Sequence, residues 1–192
     1  MKEFETPLCE MAYKYSTDKC PQLWHGYTPF YYELLKDKRE SFKKVLEIGI
    51  GCKRLMKKYR DYETGASLFM WREFFPNAQI YGADILPETI FTDDRIATLL
   101  CDQEKEEDLL NLIQFTGPDL DLVVDDGFHD RFVQIKTCRT LMPLLNKNVI
   151  YAIEDVYFIN RYAKYLPEYD LQLFPSTTGK RADNLIIVRH KQ

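Results

Sequence analysis

The chain has 192 residues, 45% hydrophobic and 29% charged, an ordinary globular composition with length for one α/β domain and a sizeable core. Its 30 acidic and 26 basic side chains leave a formal net charge of -4, which weighs against a nucleic-acid binder; the densest basic stretch is Lys53, Arg54, Lys57, Lys58 and Arg60. Cys9, Cys20, Cys52, Cys101 and Cys138 are scattered and lack C-x-x-C spacing, which favours free thiols over a disulfide scaffold or a structural zinc. With no apolar leader at the N-terminus and no run near the ~18 apolar residues a membrane span needs, the expectation is a soluble cytoplasmic protein.

Residues 1–28 are polar and aromatic, with Ser16-Thr17-Asp18-Lys19 reading as a turn or helix cap. A short helix is predicted over 29–39. Lys44 to Gly51 reads as a buried strand running into a glycine-rich loop, and the charged stretch 52–64 interrupts the pattern. Gly65-Ala66-Ser67-Leu68 opens a helix with Leu68, Trp71 and Phe75 on its apolar face, ended by Pro76-Asn77. Strands follow at 79–84, 95–101, 120–125 and 148–153, separated by helices at 105–114 and 130–143; a further helix is predicted over 156–165. Two last strands, 171–174 and 184–189, flank the turn-rich 175–180 and form an antiparallel hairpin. The alternation predicts a doubly wound, Rossmann-like α/β fold: a seven-stranded, mostly parallel sheet covered on both faces, in one domain over 1–192.

In such a sheet ligands bind beyond the carboxyl ends of the central strands. Glu47, Asp84, Asp102 and Asp125 fall at such ends, with Gly49-x-Gly51 after the first. Each position alone has a plain structural reading, as a helix cap or a turn. Together they imply a nucleoside-containing cofactor, with Asp84 placed for ribose hydroxyls and Asp102-Gln103 for a base edge. A dinucleotide fingerprint is compact and delivers a pyrophosphate to a helix N-terminus, whereas Cys52 to Thr64 intervene here. A cofactor without pyrophosphate, such as S-adenosylmethionine, tolerates that insert better.

At this point the sequence resembles the class I methyltransferases that use S-adenosylmethionine. More narrowly, it is similar to the macrocin and mycinamicin sugar O-methyltransferases and the cephalosporin hydroxylase-like group. The residues that carry the resemblance are Ser16-Thr17-Asp18-Lys19, His25-Gly26-Tyr27-Thr28-Pro29, Val45-Leu46-Glu47-Ile48-Gly49-Ile50-Gly51, and Gly65-Ala66-Ser67-Leu68 through Trp71-Arg72 to Asp84-Ile85. Asp102-Gln103, Asp125-Asp126-Gly127-x-His129 and Glu154-Asp155 complete them. The resemblance covers roughly 12–190 and implies the class I methyltransferase fold. It implies that Glu47, Gly49, Gly51 and Ser67 surround the methionine part of the cofactor. Asp84 and Ile85 lie by the ribose and Asp102 with Gln103 by the adenine, while Asp18, Lys19 and Tyr27 fold over from an N-terminal cover spanning 1–40. The antibiotic-tailoring enzymes carry a large N-terminal domain without counterpart in these residues, so the macrolide acceptor and the oligomeric form do not carry over; the 52–64 insert is a candidate lid.

The acidic pairs at the ends of the fourth and fifth strands suit a divalent magnesium, which prefers carboxylate and water oxygens. Asp125, Glu154 and Asp155 are the expected ligands, with Asp126 held in reserve and also counted, with His129, in the catalytic set. The competing reading is that Asp126 and Asp155 cap the helices that follow. Two neighbouring substrate oxygens on the metal would lower a hydroxyl pKa, and His129, ordinarily titrating at about 6.5, is the expected proton acceptor. Cofactor S-adenosyl-L-methionine, Mg2+ and a small-molecule hydroxyl acceptor, a sugar above all, follow. A catechol-like diol acceptor and a non-catalytic cofactor-binding protein are the alternatives. An oxygenase is disfavoured by the lack of a two-histidine facial triad, and a base methyltransferase by the lack of an Asn-Pro-Pro-Tyr-like motif. Arg131, Arg161, Lys180 and Arg181 are candidates for an acidic group on the acceptor, and the aromatic N-terminal segment is a candidate homo-oligomer contact.

Overall fold

The computed structural model describes residues 3–56 and 61–192, so Lys57, Lys58 and Arg60 of the basic stretch and part of the 52–64 insert lie outside the described residues. The strands are β1 (Lys44–Ile48), β2 (Gln79–Asp84), β3 (Thr92–Asp93), β4 (Ile96–Leu100), β5 (Leu122–Asp125), β6 (Ile150–Val156), β7 (Tyr169–Phe174) and β8 (Asn184–His190). They form one eight-stranded sheet in the order β3-β4-β2-β1-β5-β6-β8-β7. β4, β2, β1, β5 and β6 run parallel, β8 lies antiparallel to β6, and β7 pairs antiparallel with β8 as the expected hairpin. The eighth strand is β3, two residues that pair antiparallel with β4 and are too short to show a sequence period.

Helices α1 (Pro7–Lys14), α2 (Tyr27–Leu35) and α3 (Ala66–Phe74) cover one face, burying Leu8, Tyr31, Leu68 and Trp71 against Val45, Ile80, Val124 and Ala152. Helices α4 (Glu106–Thr116) and α5 (Arg131–Leu141) cover the other, burying Leu109, Ile135 and Leu141 against Leu46, Ile48, Val123 and Ile153. Strand period therefore sorts the acidic residues. Glu47 and Glu154 share the face of α2 and α3, where Trp71 and Tyr31 donate to them. Asp125 shares the face of α5, where it meets Tyr151.

Three expectations change. The N-terminal segment holds a helix, α1, begun by Thr6, whose side chain accepts from the Cys9 amide, and by Pro7 in the first turn. Residues 156–165 are not one helix: a 3-10 turn at Ile159–Arg161 is followed by tight turns, with the Tyr162 hydroxyl donating to Gln134. The helix expected at 29–39 starts earlier, at Tyr27, and gives way to a 3-10 turn at Lys36–Lys38. No helix among the described residues is long and apolar enough to cross a membrane.

The hairpin loop is locked to the N-terminal segment by Asp183. This buried carboxylate accepts from the His25 ring at 2.9 Å, the Gly26 amide at 3.3 Å, Ser176 Oγ at 3.0 Å and Thr178 Oγ1. Burial alone would raise its pKa, but the bonds from His25, Thr178 and Ser176 outweigh that and lower it. Asp183→Ala, which strands those donors, is expected to lose about 2–3 kcal/mol in urea unfolding near neutral pH. Because the folded pKa lies below the unfolded value of about 3.9, the deficit should be complete above that pH and shrink as pH falls through it. An unchanged unfolding midpoint at pH 7 would show that the loop is not anchored there.

Candidate cofactor pocket and metal centre

A cavity of about 490 Å³ opens beyond the carboxyl ends of β1, β2 and β5, at the point where strand order reverses about β1. Its wall includes Asp18, Lys19, Glu47, Gly49, Gly51, Ser67, Asp84, Ile85, Asp102, Gln103, Asp126 and His129, so most of the residues singled out from the sequence converge on one space. Leu55, Met56 and Tyr62 of the insert line it too. Tyr27, Asp125 and Glu154 do not: they stand behind residues of the wall, Tyr27 bonded to Asp155, Asp125 to Gln103 and Glu154 to Lys19.

The loop after β1 is built by close backbone approach. Gly49 has φ +91°, and a Cβ there would stand 2.1 Å from the Asp126 carbonyl oxygen. Its amide donates to the Ala83 carbonyl at 2.8 Å. Asp84 ties this loop to the end of β2: one oxygen accepts from the Ile50 and Gly51 amides at 2.9 and 3.3 Å, the other from the Leu86 amide at 2.9 Å. Gly49→Ala must both adopt a left-handed conformation and displace the 126–127 backbone, so it is expected to cost about 3 kcal/mol or more and to widen the loop. Urea unfolding beside nucleoside binding checks this, and a variant with wild-type stability would contradict it.

Gln103 has a role the sequence did not suggest. Its Nε2 donates to Asp125 Oδ1 and Thr137 Oγ1, each at 3.1 Å, while its Oε1 accepts from the Phe128 amide. It therefore sets the course of the 125–128 turn. Asp102 turns its own loop by accepting from the Glu104 amide at 3.1 Å.

Lys19 is buried and stands among three carboxylates, with Nζ 2.7 Å from Asp126, 2.6 Å from Glu154 and 3.3 Å from Glu47. Desolvation would lower its pKa, but Asp126, Glu154 and Glu47 hold it well above the ordinary lysine value. Glu154 has both oxygens in use, Oε2 by Lys19 and Oε1 by the Tyr31 hydroxyl at 2.7 Å. Glu47 receives Trp71 Nε1 at 2.6 Å on one oxygen, and its other oxygen, Oε1, faces the Lys19 ammonium at 3.3 Å. Burial raises the pKa of Glu47, Glu154 and Asp155, and the neighbouring charge of Asp126 adds to it against the cations that lower it.

One set of candidate metal ligands is found among the described residues: Asp126, His129 and Asp155, with one ligand atom of each within 4.8 Å of the others. His129 Nε2 lies 3.2 Å from Asp155 and 3.5 Å from Asp126. Asp155 reaches the centre because its φ of 53° and a register slip in β6 after Ile153 break the strand alternation. Without that slip it would face away from Glu154. The Tyr27 hydroxyl fixes it, donating to Oδ1 at 2.9 Å and accepting from its amide at 3.0 Å.

The expected ligand Asp125 is corrected by this geometry. It lies on the α5 face, fully buried, accepting from Gln103 and from the Tyr151 hydroxyl at 3.1 Å, and burial raises its pKa to about 6 despite those bonds. Asp126 stands at the centre instead. Glu154 is not among the converging ligand atoms, because Lys19 lies between it and Asp126. The capping alternative also fails: α5 is capped by Asp130, and Asp155 lies within β6. His129 differs from the free imidazole assumed from sequence. Burial would lower its pKa, but the bond and charge of Asp126, with Asp155, raise it to about 9, so it is cationic at neutral pH and shares with Lys19 the balancing of those carboxylates.

No family model matches the sequence. Among curated proteins, the chain is 35% identical over 162 residues to the 8-demethyl-8-(2-methoxy-alpha-L-rhamnosyl)-tetracenomycin-C 3'-O-methyltransferase of Streptomyces olivaceus, a match spanning 84% of this chain and 38% of that protein. It is 36% identical over 151 residues to the mycinamicin VI 2''-O-methyltransferase of Micromonospora griseorubida, spanning 78% and 36%. The chain thus spans well under half the length of these curated relatives. Among solved structures, the mycinamycin-pathway methyltransferase MycE, in complex with Mg and SAH, superposes with a TM-score of 0.76 at 27% identity, covering 97% of this chain and 55% of that one. The chain therefore has the class I methyltransferase fold and is similar, over about four fifths of its length, to part of these sugar O-methyltransferases.

Proposed function

We propose that the chain binds S-adenosylmethionine in this cavity and, with magnesium at the adjoining acidic centre, transfers its methyl group to a hydroxyl of a small molecule, foremost a sugar or glycosylated natural product. The observation that carries the reading is that Asp126, His129 and Asp155 line the same cavity as the Gly49–Gly51 loop, Asp84 and Gln103. A cofactor in that loop and an acceptor at that centre would meet. The donor set fits both groups. Asp84 keeps lone pairs beyond those it gives to the loop amides, and Asp102 and Gln103 lie further along the wall for a base edge. The Glu47 carboxylate in the cavity wall suits a cationic amino group. Asp126 and Asp155 offer the oxygens magnesium prefers, with Glu154 as the next oxygen donor behind Lys19.

When bound, the metal lowers the pKa of a coordinated hydroxyl and fixes its orientation. The chain does the rest. Tyr27 holds Asp155 in place, and Gln103 holds the turn that carries Asp126 and His129. His129, at the rim and 44% exposed, would take up the hydroxyl proton as the neutral imidazole, having released its own proton to solvent when a bound cation takes over the balancing of the two carboxylates. Held together in this cavity, donor and acceptor would meet in line, and orientation would supply much of the acceleration. The related proteins named above act on rhamnosyl and mycinamicin sugars, which supports a glycoside acceptor.

The test is turnover. The chain is mixed with S-adenosylmethionine, Mg2+ and a panel of rhamnosides, other glycosides and catechols, and S-adenosylhomocysteine is measured by mass spectrometry. Release with a glycoside, stopped by EDTA and restored by Mg2+, is expected. Release with catechols alone would transfer the reading to diols, and none with any acceptor would overturn it.

A further inference from the structure

A shelf of exposed aromatic rings and unpaired cations borders the centre. Phe132 and Phe158 are each 56% exposed, although both are large apolar groups. The Arg131 guanidinium lies 4.6 Å from the Phe132 ring and 5.8 Å from the Tyr165 ring, and Arg161 lies 4.5 Å from the Phe158 ring. Phe132 and Tyr165 meet edge to face at 5.8 Å. Arg131 Nε is buried without a hydrogen-bond partner. Arg139 and Arg54 find carboxylates, at Glu168 and Glu88. Arg131 and Arg161 meet ring faces and, among the described residues, form no ion pair with a carboxylate.

The shelf is continuous with the centre along the chain. Arg131 follows His129 by two residues, and Phe158 follows Asp155 by three. The two segments are held together by the Tyr162 hydroxyl on Gln134, whose Nε2 donates to the Glu154 carbonyl at 2.8 Å. An acceptor with its hydroxyl at Asp126 and Asp155 would extend over these rings.

Resting on the methyl-transfer reading of the neighbouring centre, we propose that this shelf binds the remote part of the acceptor, and that this part is a planar aryl group carrying an anionic oxygen, such as a carboxylate or phenolate. The rings offer flat apolar faces, and the two guanidiniums offer donors with no carboxylate of their own. A chain with net charge -4 that keeps two unpaired arginines beside an acidic site is arranged to admit an anion there.

The probe is 2-naphthoate, with 2-naphthylmethanol as its neutral counterpart, titrated into the isotope-labelled full chain and followed by NMR. Saturable shifts at Phe132, Phe158 and Arg161 are expected. Binding should be about tenfold weaker for the alcohol and about tenfold weaker for naphthoate in the Arg131→Gln/Arg161→Gln variant, as expected for loss of one charge-assisted contact. No saturable shift at the shelf overturns the proposal, as does equal affinity for acid and alcohol or unchanged affinity in the variant. S-adenosylhomocysteine is titrated in parallel: if it fails to bind while naphthoate behaves as expected, the methyl-transfer reading falls and the anion shelf stands.

Discussion

Asp126→Asn is expected to abolish methyl transfer while leaving the fold intact. Asparagine keeps the volume but removes the charge, and with it the carboxylate that faces both Lys19 and His129. Lys19 retains Glu154 and Glu47, so no buried cation is stranded. Metal affinity should fall at least about a hundredfold, since loss of even an outer partner of a metal ligand costs roughly 10–100-fold. Turnover should fall about a thousandfold or more, the several kcal/mol that metal activation of a hydroxyl supplies. Mn2+ titration followed by electron paramagnetic resonance reads the first quantity, and S-adenosylhomocysteine release reads the second. The paired control is Asp125→Asn, which lies on the opposite face and should leave Mn2+ affinity within a few-fold of wild type. If Asp125→Asn lost the metal and Asp126→Asn kept it, the assignment of the centre would be reversed.

Lys19→Met carries the largest expected effect on stability. It leaves Glu47, Asp126 and Glu154 close together without the cation they share, and Glu47 and Glu154 fully buried. Breaking a buried pair by removing one partner costs about 3–5 kcal/mol, a large part of the 5–15 kcal/mol that holds a typical domain together. Urea unfolding should show that loss. Adding Glu154→Gln to Lys19→Met removes part of the repulsion and should recover at least about 1 kcal/mol, a coupling that a double-mutant cycle measures. A Lys19→Met protein within 1 kcal/mol of wild type would mean that the ammonium is not the keystone of the cluster.

The parallel sheet and the cofactor loop were readable because their signals are local. Apolar runs end in Glu47-x-Gly49-x-Gly51, in Asp84 and in Asp125-Asp126, and each fell where the strand ends proved to be. The choice between Asp125 and Asp126 was not readable the same way. β5 is buried on both faces, so its apolar run carries no alternation to show which aspartate faces α5. The parity was available from β1, where Glu47 must share a face with every second residue of its neighbour, but only once the register was known. Lys19 was expected over the cofactor and does line the cavity, yet its three-way pairing joins residues 107 and 135 positions away, beyond any local pattern. The slip that turns Asp155 inward is a β6 backbone feature with no residue signature, since aspartate rather than glycine adopts the positive φ. Helix α1 is a different case: Thr6-Pro7 is a recognisable start signal that aromatic composition had masked.

The central claim is that one cavity holds S-adenosylmethionine beside a divalent centre, and isothermal titration of S-adenosylmethionine into the full chain tests it most directly, once with EDTA and once with Mg2+. Binding of one equivalent in both conditions is predicted, together with separate saturable Mg2+ binding that Asp126→Asn removes. Absence of cofactor binding in either condition would contradict the claim outright, and cofactor binding without any Mg2+ binding would leave the pocket but contradict the metal centre.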